Sequence, residues 1–300
     1  MSIPRILRKS RLLPRFRELI KLHFGFPEIP IDKKKTSKKV PEKNEGKGEA
    51  GGAFDYLLRF HIEYINKGKR TDKSGWVAES SIERLHSQIF DQESEIIFDT
   101  EYFWEGKVIS KETFYDKIIG EFEEAKSNYT SFIKSGQVTD KLLKSCLFLA
   151  RLDVNSRAYI LVENFGVYLE EEIKELEDLL KIVPNNLFRA KKQYLVNPYF
   201  PGFYSDGDLL IDDNLIDIKT VDTIQFKASY KYQLILYYIA HMTTGINGEK
   251  KKYKINYLSI YFARHGILHT MPITEIGDKK SFKFIQKWFT ERWIGWERYK

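Results

Sequence analysis

Two aspartates and a lysine stand where buried strands should carry only aliphatics. In the run Gly207-Asp208-Leu209-Leu210-Ile211-Asp212-Asp213-Asn214-Leu215-Ile216-Asp217-Ile218-Lys219-Thr220, Asp208, Asp217 and Lys219 border two short apolar stretches. An unpaired charge is costly to bury, so acids in such a place imply that something binds them. Two carboxylates with a main-chain carbonyl are hard oxygen ligands that suit Mg²⁺ or Mn²⁺. A lysine beside them can orient or activate a water and stabilise negative charge as it develops. The bland alternative is an exposed acidic turn with a salt-bridged lysine, as most charge patterns are. The aliphatic flanks weigh against it.

For this chemistry the three side chains must converge. Leu209-Leu210-Ile211 and Leu215-Ile216 are too short for helices, and Asp-Asp-Asn separates them. That pattern predicts a β-hairpin. With Asp213-Asn214 as its two-residue turn, Asp208 lies opposite Lys219 and Leu210 opposite Asp217. Directly opposed residues share a face, as do residues two apart on one strand. Asp208, Asp217 and Lys219 then converge on one side, with Leu209, Ile216 and Ile218 on the other.

A helix must follow. Ala228 to Met242 reads ASYKYQLILYYIAHM, a continuous helix-like run carrying Gln233 and Tyr237 four residues apart. That spacing puts them on one helix face. A buried amide and phenol need partners. Beside the hairpin they would hold a phosphate or a metal-bound water; alone they would mark an ordinary core helix.

An acid on one strand, Asp-x-Lys on the next, then a helix with Gln-x-x-x-Tyr: this order and spacing resembles the PD-(D/E)XK nuclease superfamily, and the last element its RecB-type branch. The matching residues are Asp208, Asp217, Lys219, Gln233 and Tyr237, and the likeness covers about residues 185 to 275. The resemblance implies a restriction-endonuclease-like α/β (α+β) fold, a mixed sheet flanked by helices. It implies Asp208 and Asp217 as metal ligands and Lys219 as the catalytic lysine, with Gln233 and Tyr237 supporting the site. Members of the family often add an upstream acid or His from a helix. On the predicted helix 167 to 182 the stripe is Leu169, Ile173, Leu176 and Leu180, and Glu172 projects nearest it among the acids. Glu172 is therefore a candidate third metal ligand, its bland alternative being a residue at the core boundary. Iron–sulfur members need four cysteines; Cys146 stands alone here, so no such cluster forms.

The implied activity is Mg²⁺- or Mn²⁺-dependent hydrolysis of DNA phosphodiesters, of exonuclease or strand-processing type, at single-stranded or duplex ends. A different class of reading is a catalytically inactive nucleic-acid-binding or assembly protein on the same fold. A third, an enzyme for a small phosphorylated substrate, lacks a Gly-rich phosphate loop. No base-reading module is visible.

Three hundred residues, 42% apolar and 15% aromatic, suffice for a real core. No long uncharged apolar run predicts a membrane span. Arg8, Arg11, Arg15 and Arg17 break up any signal-like N-terminal run. A single cysteine excludes an intrachain disulfide and fits a reducing, cytoplasmic setting.

The net charge of +7 is uneven. Residues 1 to 49 hold fourteen Lys or Arg against six Asp or Glu, a local +8 that leaves −1 for the rest. Residues 1–50 thus read as a basic, partly disordered tail that contacts DNA phosphates or a protein partner. Within it, Ile6 to Phe24 could form a short amphipathic helix, and Asp32 to Ala50 reads as a flexible linker. Residues 51–184 read as a helical region, with helices near 51–66, 78–90, 112–134, 139–150 and 167–182. His61 and Glu63 sit on different sides of the first, and Asp153 with Arg157 reads as a helix-surface pair. Residues 185–300 read as the nuclease-like core. Its further strands are 188–196, 256–264 and 266–273, and helix 281–293 closes it. His265 and His269 are left out of the site.

Overall fold

A computed structural model of the chain describes residues 13–28, 38–41, 49–69, 75–90, 101–158, 161–203 and 205–297. In chain order the helices and strands begin with α1 (Leu13–His23), α2 (Glu49–Ile65), α3 (Val77–Phe90) and the hairpin β1 (Tyr102–Trp104) to β2 (Lys107–Ile109). Then come α4 (Lys111–Ser135), α5 (Asp140–Ala158) and α6 (Glu170–Lys181). The later part holds β3 (Tyr194–Val196), β4 (Tyr199–Phe200), β5 (Ser205–Asp206), β6 (Leu209–Ile211) and β7 (Asn214–Lys219). After them run α7 (Ala228–Thr244), β8 (Tyr257–Phe262), β9 (Ile267–Pro272), α8 (Ile273–Ile276) and α9 (Lys279–Glu297).

The chain divides into two compact units. One comprises Lys39–Gly68 and Lys73–Arg189; the other comprises Met1–Lys38, Lys69–Asp72 and Ala190–Lys300.

The first unit is mainly helical. Local signals set its elements: Ser110 caps α4 by accepting the Thr113 N–H at 3.2 Å, and Gly136 ends it at φ 72°. Its core holds Phe54, Leu57, Leu58, Phe60, Phe148 and Leu149. Asp153 is buried within it, accepting a hydrogen bond from the Tyr56 hydroxyl at 2.8 Å. Asp153 is therefore buried rather than on the helix surface, where the sequence placed it with Arg157, whose side chain lies outside the described residues. Asp153 faces α2, because a phenol in that core gives the carboxylate a partner.

The second unit is built on a mixed five-stranded sheet in the order β3-β6-β7-β8-β9. All neighbours are antiparallel except β7 and β8, and α7 is the crossover that a parallel pair requires. One face packs Leu195, Leu210, Leu215, Leu258, Ile260 and Phe262 against Leu234, Ile235 and Ile239 of α7. The opposite face buries Tyr194, Leu209, Ile216 and Tyr261.

Helix α1 belongs to this same core. Phe16, Leu19, Ile20 and Phe24 are buried with the sheet and α7 residues, and the Phe16 ring meets Tyr232, Trp288 and Phe289. The expectation of a tail over residues 1–50 is corrected here for residues 13–24. The amphipathic helix foreseen within it forms, and its apolar face is core. The other half of that expectation, a linker from Asp32 to Ala50, falls largely outside the described residues. The helical unit also runs past residue 184, to Arg189.

Candidate functional site

The hairpin forms with a register two residues away from the expected one. Leu209 pairs with Ile216, Leu210 with Leu215 and Ile211 with Asn214. The turn is therefore Asp212-Asp213, with Asp212 left-handed at φ 54°. Continuing the register puts Asp208 opposite Asp217 rather than opposite Lys219. A shift of two preserves the strand's alternation, so Asp208, Asp217 and Lys219 still share one face, the face that carries α7.

The turn acids have other work. The Asp212 carboxylate accepts the N–H groups of Lys191, Lys192 and Gln193, and Asp213 accepts the Asn256 side chain at 2.6 Å. They hold the hairpin in place and leave Asp208 and Asp217 as the acids of the shared face.

Each side chain of the expected set has a defined position. Asp208 Oδ2 accepts the Ile218 N–H at 2.7 Å, tying the acid across the hairpin to the strand of Asp217. Lys219 Nζ lies 2.6 Å from Asp217 Oδ2. The same ammonium donates to Gln233 Oε1 at 3.2 Å, and Gln233 Nε2 donates to the Tyr237 hydroxyl at 3.0 Å. The Tyr237 ring stacks on Phe200 with centroids 5.4 Å apart. A continuous polar chain thus runs Asp217–Lys219–Gln233–Tyr237 across an otherwise apolar interface.

The electrostatics follow from this placement. Burial acts to lower the Lys219 pKa, but the charges of Asp217 and Asp208 outweigh it and hold the ammonium above its usual range. Burial, then the same two carboxylates, push the Tyr237 phenol well above its ordinary value. At neutral pH the site therefore contains a charged lysine and a protonated tyrosine.

Glu172 has partners within its own unit. It lies in the helical unit, where Glu172 Oε2 accepts the Leu169 N–H at 3.0 Å and pairs with Arg151 Nη2 at 3.2 Å. Arg151 is buried and also meets Glu49 and the carbonyls of Asn164 and Val167. A buried guanidinium demands such partners, so Glu172 is a helix-terminal and charge-pairing residue. That is the place the structure gives the sequence's candidate third metal ligand.

Among the described residues no group of three or more His, Cys, Asp or Glu is placed to hold a metal ion. The donor set of the hairpin is smaller: two opposed carboxylates of hard oxygen type, which fit Mg²⁺ or Mn²⁺ better than a softer ion. Asp208 and Asp217 are the residues that would hold it.

Sequence reading passed over Tyr230. Its ring centroid lies 5.1 Å from Lys219 Nζ, and its signal is its place three residues before Gln233, one helical turn away on the same side.

Comparison with known proteins finds no matching family model, no matching curated protein and no matching solved structure. No helix among the described residues is long and apolar enough to cross a membrane.

Proposed function

We propose that this chain is a divalent-metal-dependent nuclease that hydrolyses phosphodiester bonds in DNA, as an exonuclease or strand-processing enzyme acting at single-stranded or duplex ends. One observation carries the reading: Asp208 and Asp217 oppose each other on one sheet face, with Lys219 clamped between Asp217 and Gln233. Asp208 and Asp217 would hold Mg²⁺ or Mn²⁺. Bound there, the ion supplies a polarised phosphoryl oxygen and a water acidic enough to attack. The chain's own residues do the rest. Lys219 keeps its proton and offers it to the phosphate oxygen on which charge builds up. Gln233 fixes the direction of the ammonium through Oε1. Tyr237 accepts from Gln233 Nε2, which fixes the amide's orientation, and keeps its own hydroxyl hydrogen for donation. The apolar packing around them keeps bulk water from screening these interactions.

The reading is tested with end-labelled single-stranded and duplex DNA incubated with Mg²⁺, Mn²⁺ or EDTA. Shortening of the label with either metal, and none with EDTA, is the expected result. The direct Asp217–Lys219 pair favours a second reading, because an ammonium already neutralises that acid: a non-catalytic nucleic-acid-binding or assembly protein. Binding of DNA with no cleavage under any metal would favour it.

A further inference from the structure

We propose that Tyr230, Lys227, Lys231, Phe226 and Phe26 form a binding strip for single-stranded nucleic acid that leads a strand to the Asp217–Lys219 site. The proposal rests on the nuclease reading above and names the form of its substrate.

The strip begins at the site itself. Lys219 Nζ lies 5.1 Å from the Tyr230 ring centroid, and Lys227 Nζ lies 5.9 Å from the same ring. One residue further along α7, Lys231 Nζ lies 5.3 Å from the Phe26 ring and 5.0 Å from the Phe226 ring. Those two phenyl rings meet edge to face at 5.4 Å, and Phe226 also meets His269 at 5.6 Å. Phe26, Phe226 and Tyr230 are half-buried, each with one side packed on the hydrophobic core. Three aromatic rings on a rigid base therefore alternate with lysines, starting from a member of the candidate site.

The lysines carry the second half of the argument. Several surface lysines of the chain find carboxylates: Lys174 meets Glu177 and Asp178, Lys126 meets Glu123, and Lys252 meets Glu249. Among the described residues Lys227 and Lys231 have ring contacts and no carboxylate partner. The acid of their own loop, Asp222, is held by Lys38 at 3.1 Å and by Arg264 at 3.6 Å. Cations resting on half-buried rings at the surface are held weakly. Phosphates would draw both ammonium groups away and free the ring faces for bases.

Strandedness follows from the rings. Lysines alone serve any phosphate backbone. An aromatic face is useful only to a base that has left its stack, and aromatic rings interleaved with cations make a sequence-tolerant single-strand platform.

The test uses the full chain and a fluorescent oligothymidylate, with a blunt duplex of equal length as control. Binding is measured in EDTA across a salt series. The single strand should bind more tightly than the duplex. Lys227→Gln with Lys231→Gln should weaken it and flatten the slope of log K against log salt by about 1.4, the share of two phosphate contacts on a single strand. Tyr230→Leu should weaken single-strand binding about tenfold, and Tyr230→Phe should restore it. The double lysine variant lies at the surface and decides the matter even if Tyr230→Leu does not fold. An unchanged slope and affinity in that variant, or tighter binding of the duplex, overturns the proposal. EDTA separates this test from cleavage. A chain that binds single strands through these residues but leaves them uncut with Mg²⁺ supports the strip and counts against the nuclease reading. A chain that cuts while its strip variants bind unchanged does the reverse.

Discussion

Lys219 Nζ stands 2.6 Å from Asp217 Oδ2, two residues away on the same strand, on an aspartate side chain only 1% exposed. Losing the ammonium leaves that acid buried without its cation. Lys219→Met should therefore destabilise the fold by about 3 kcal/mol, the order seen when one partner of a buried pair is removed. Urea unfolding measures it. Mg²⁺ should return part of the loss, since an ion held by Asp208 and Asp217 replaces the missing positive charge and stabilises the state that binds it. A midpoint that Mg²⁺ leaves unmoved in the variant would argue against these carboxylates as ligands, with no activity assay needed.

His241 sets a pH response in the same unit. The imidazole sits at the end of α7, its Nδ1 is buried without a hydrogen-bond partner, and burial lowers its pKa from 6.5 to about 4. A depressed histidine pKa means the unfolded chain binds the proton first. The neutral ring is therefore at no disadvantage above pH 6.5, and stability falls as the pH drops from there toward 4. Relative to His241→Gln, the wild-type chain should lose up to about 3 kcal/mol over that interval. Unfolding at a series of pH values shows it as a difference between the two curves. Parallel curves would mean that the ring titrates normally.

Phe16 tests the place of α1. The ring is 2% exposed and touches Tyr232, Trp288 and Phe289. Phe16→Ala should cost about 3 to 5 kcal/mol, as large-to-small changes in aromatic cores do. An effect below about 0.5 kcal/mol, the size of an ordinary surface change, would return this segment to the role of a tail.

What is legible in the sequence depends on how far the controlling interaction reaches. Asp208, Asp217 and Lys219 converge as expected because strand alternation is a local rule, and moving the turn by one residue, to Asp212-Asp213 from Asp213-Asn214, shifts the cross-strand register by two and keeps the parity. Gln233 and Tyr237 are legible for the same reason, through helical spacing. The turn itself is not, because Asp212 is fixed by three N–H groups some twenty residues earlier in the chain. The partner of Glu172, Arg151 one helix earlier, is likewise invisible to a reading of the α6 stripe alone. In α1, the arginines that suggest a solvated arm occupy one side, while Phe16, Leu19 and Ile20 occupy the other. Charge counting averages the two sides; burial separates them. The mixed α+β architecture follows from the periodicities, whereas the order of the sheet, with β8 beside β7, depends on a crossover that no local pattern encodes.

Cleavage by the wild-type chain set beside Asp217→Asn is the most direct test of the central claim. The amide keeps the shape of the side chain and removes one anionic ligand. With end-labelled DNA and Mg²⁺, wild type should shorten the label. Lys219→Met should do so about a hundredfold or more slowly, and Asp217→Asn, folded by circular dichroism, should not do so at all. Wild-type rates from Asp217→Asn at limiting Mg²⁺ would contradict the assignment of this aspartate, and with it the metal-dependent chemistry proposed for the site.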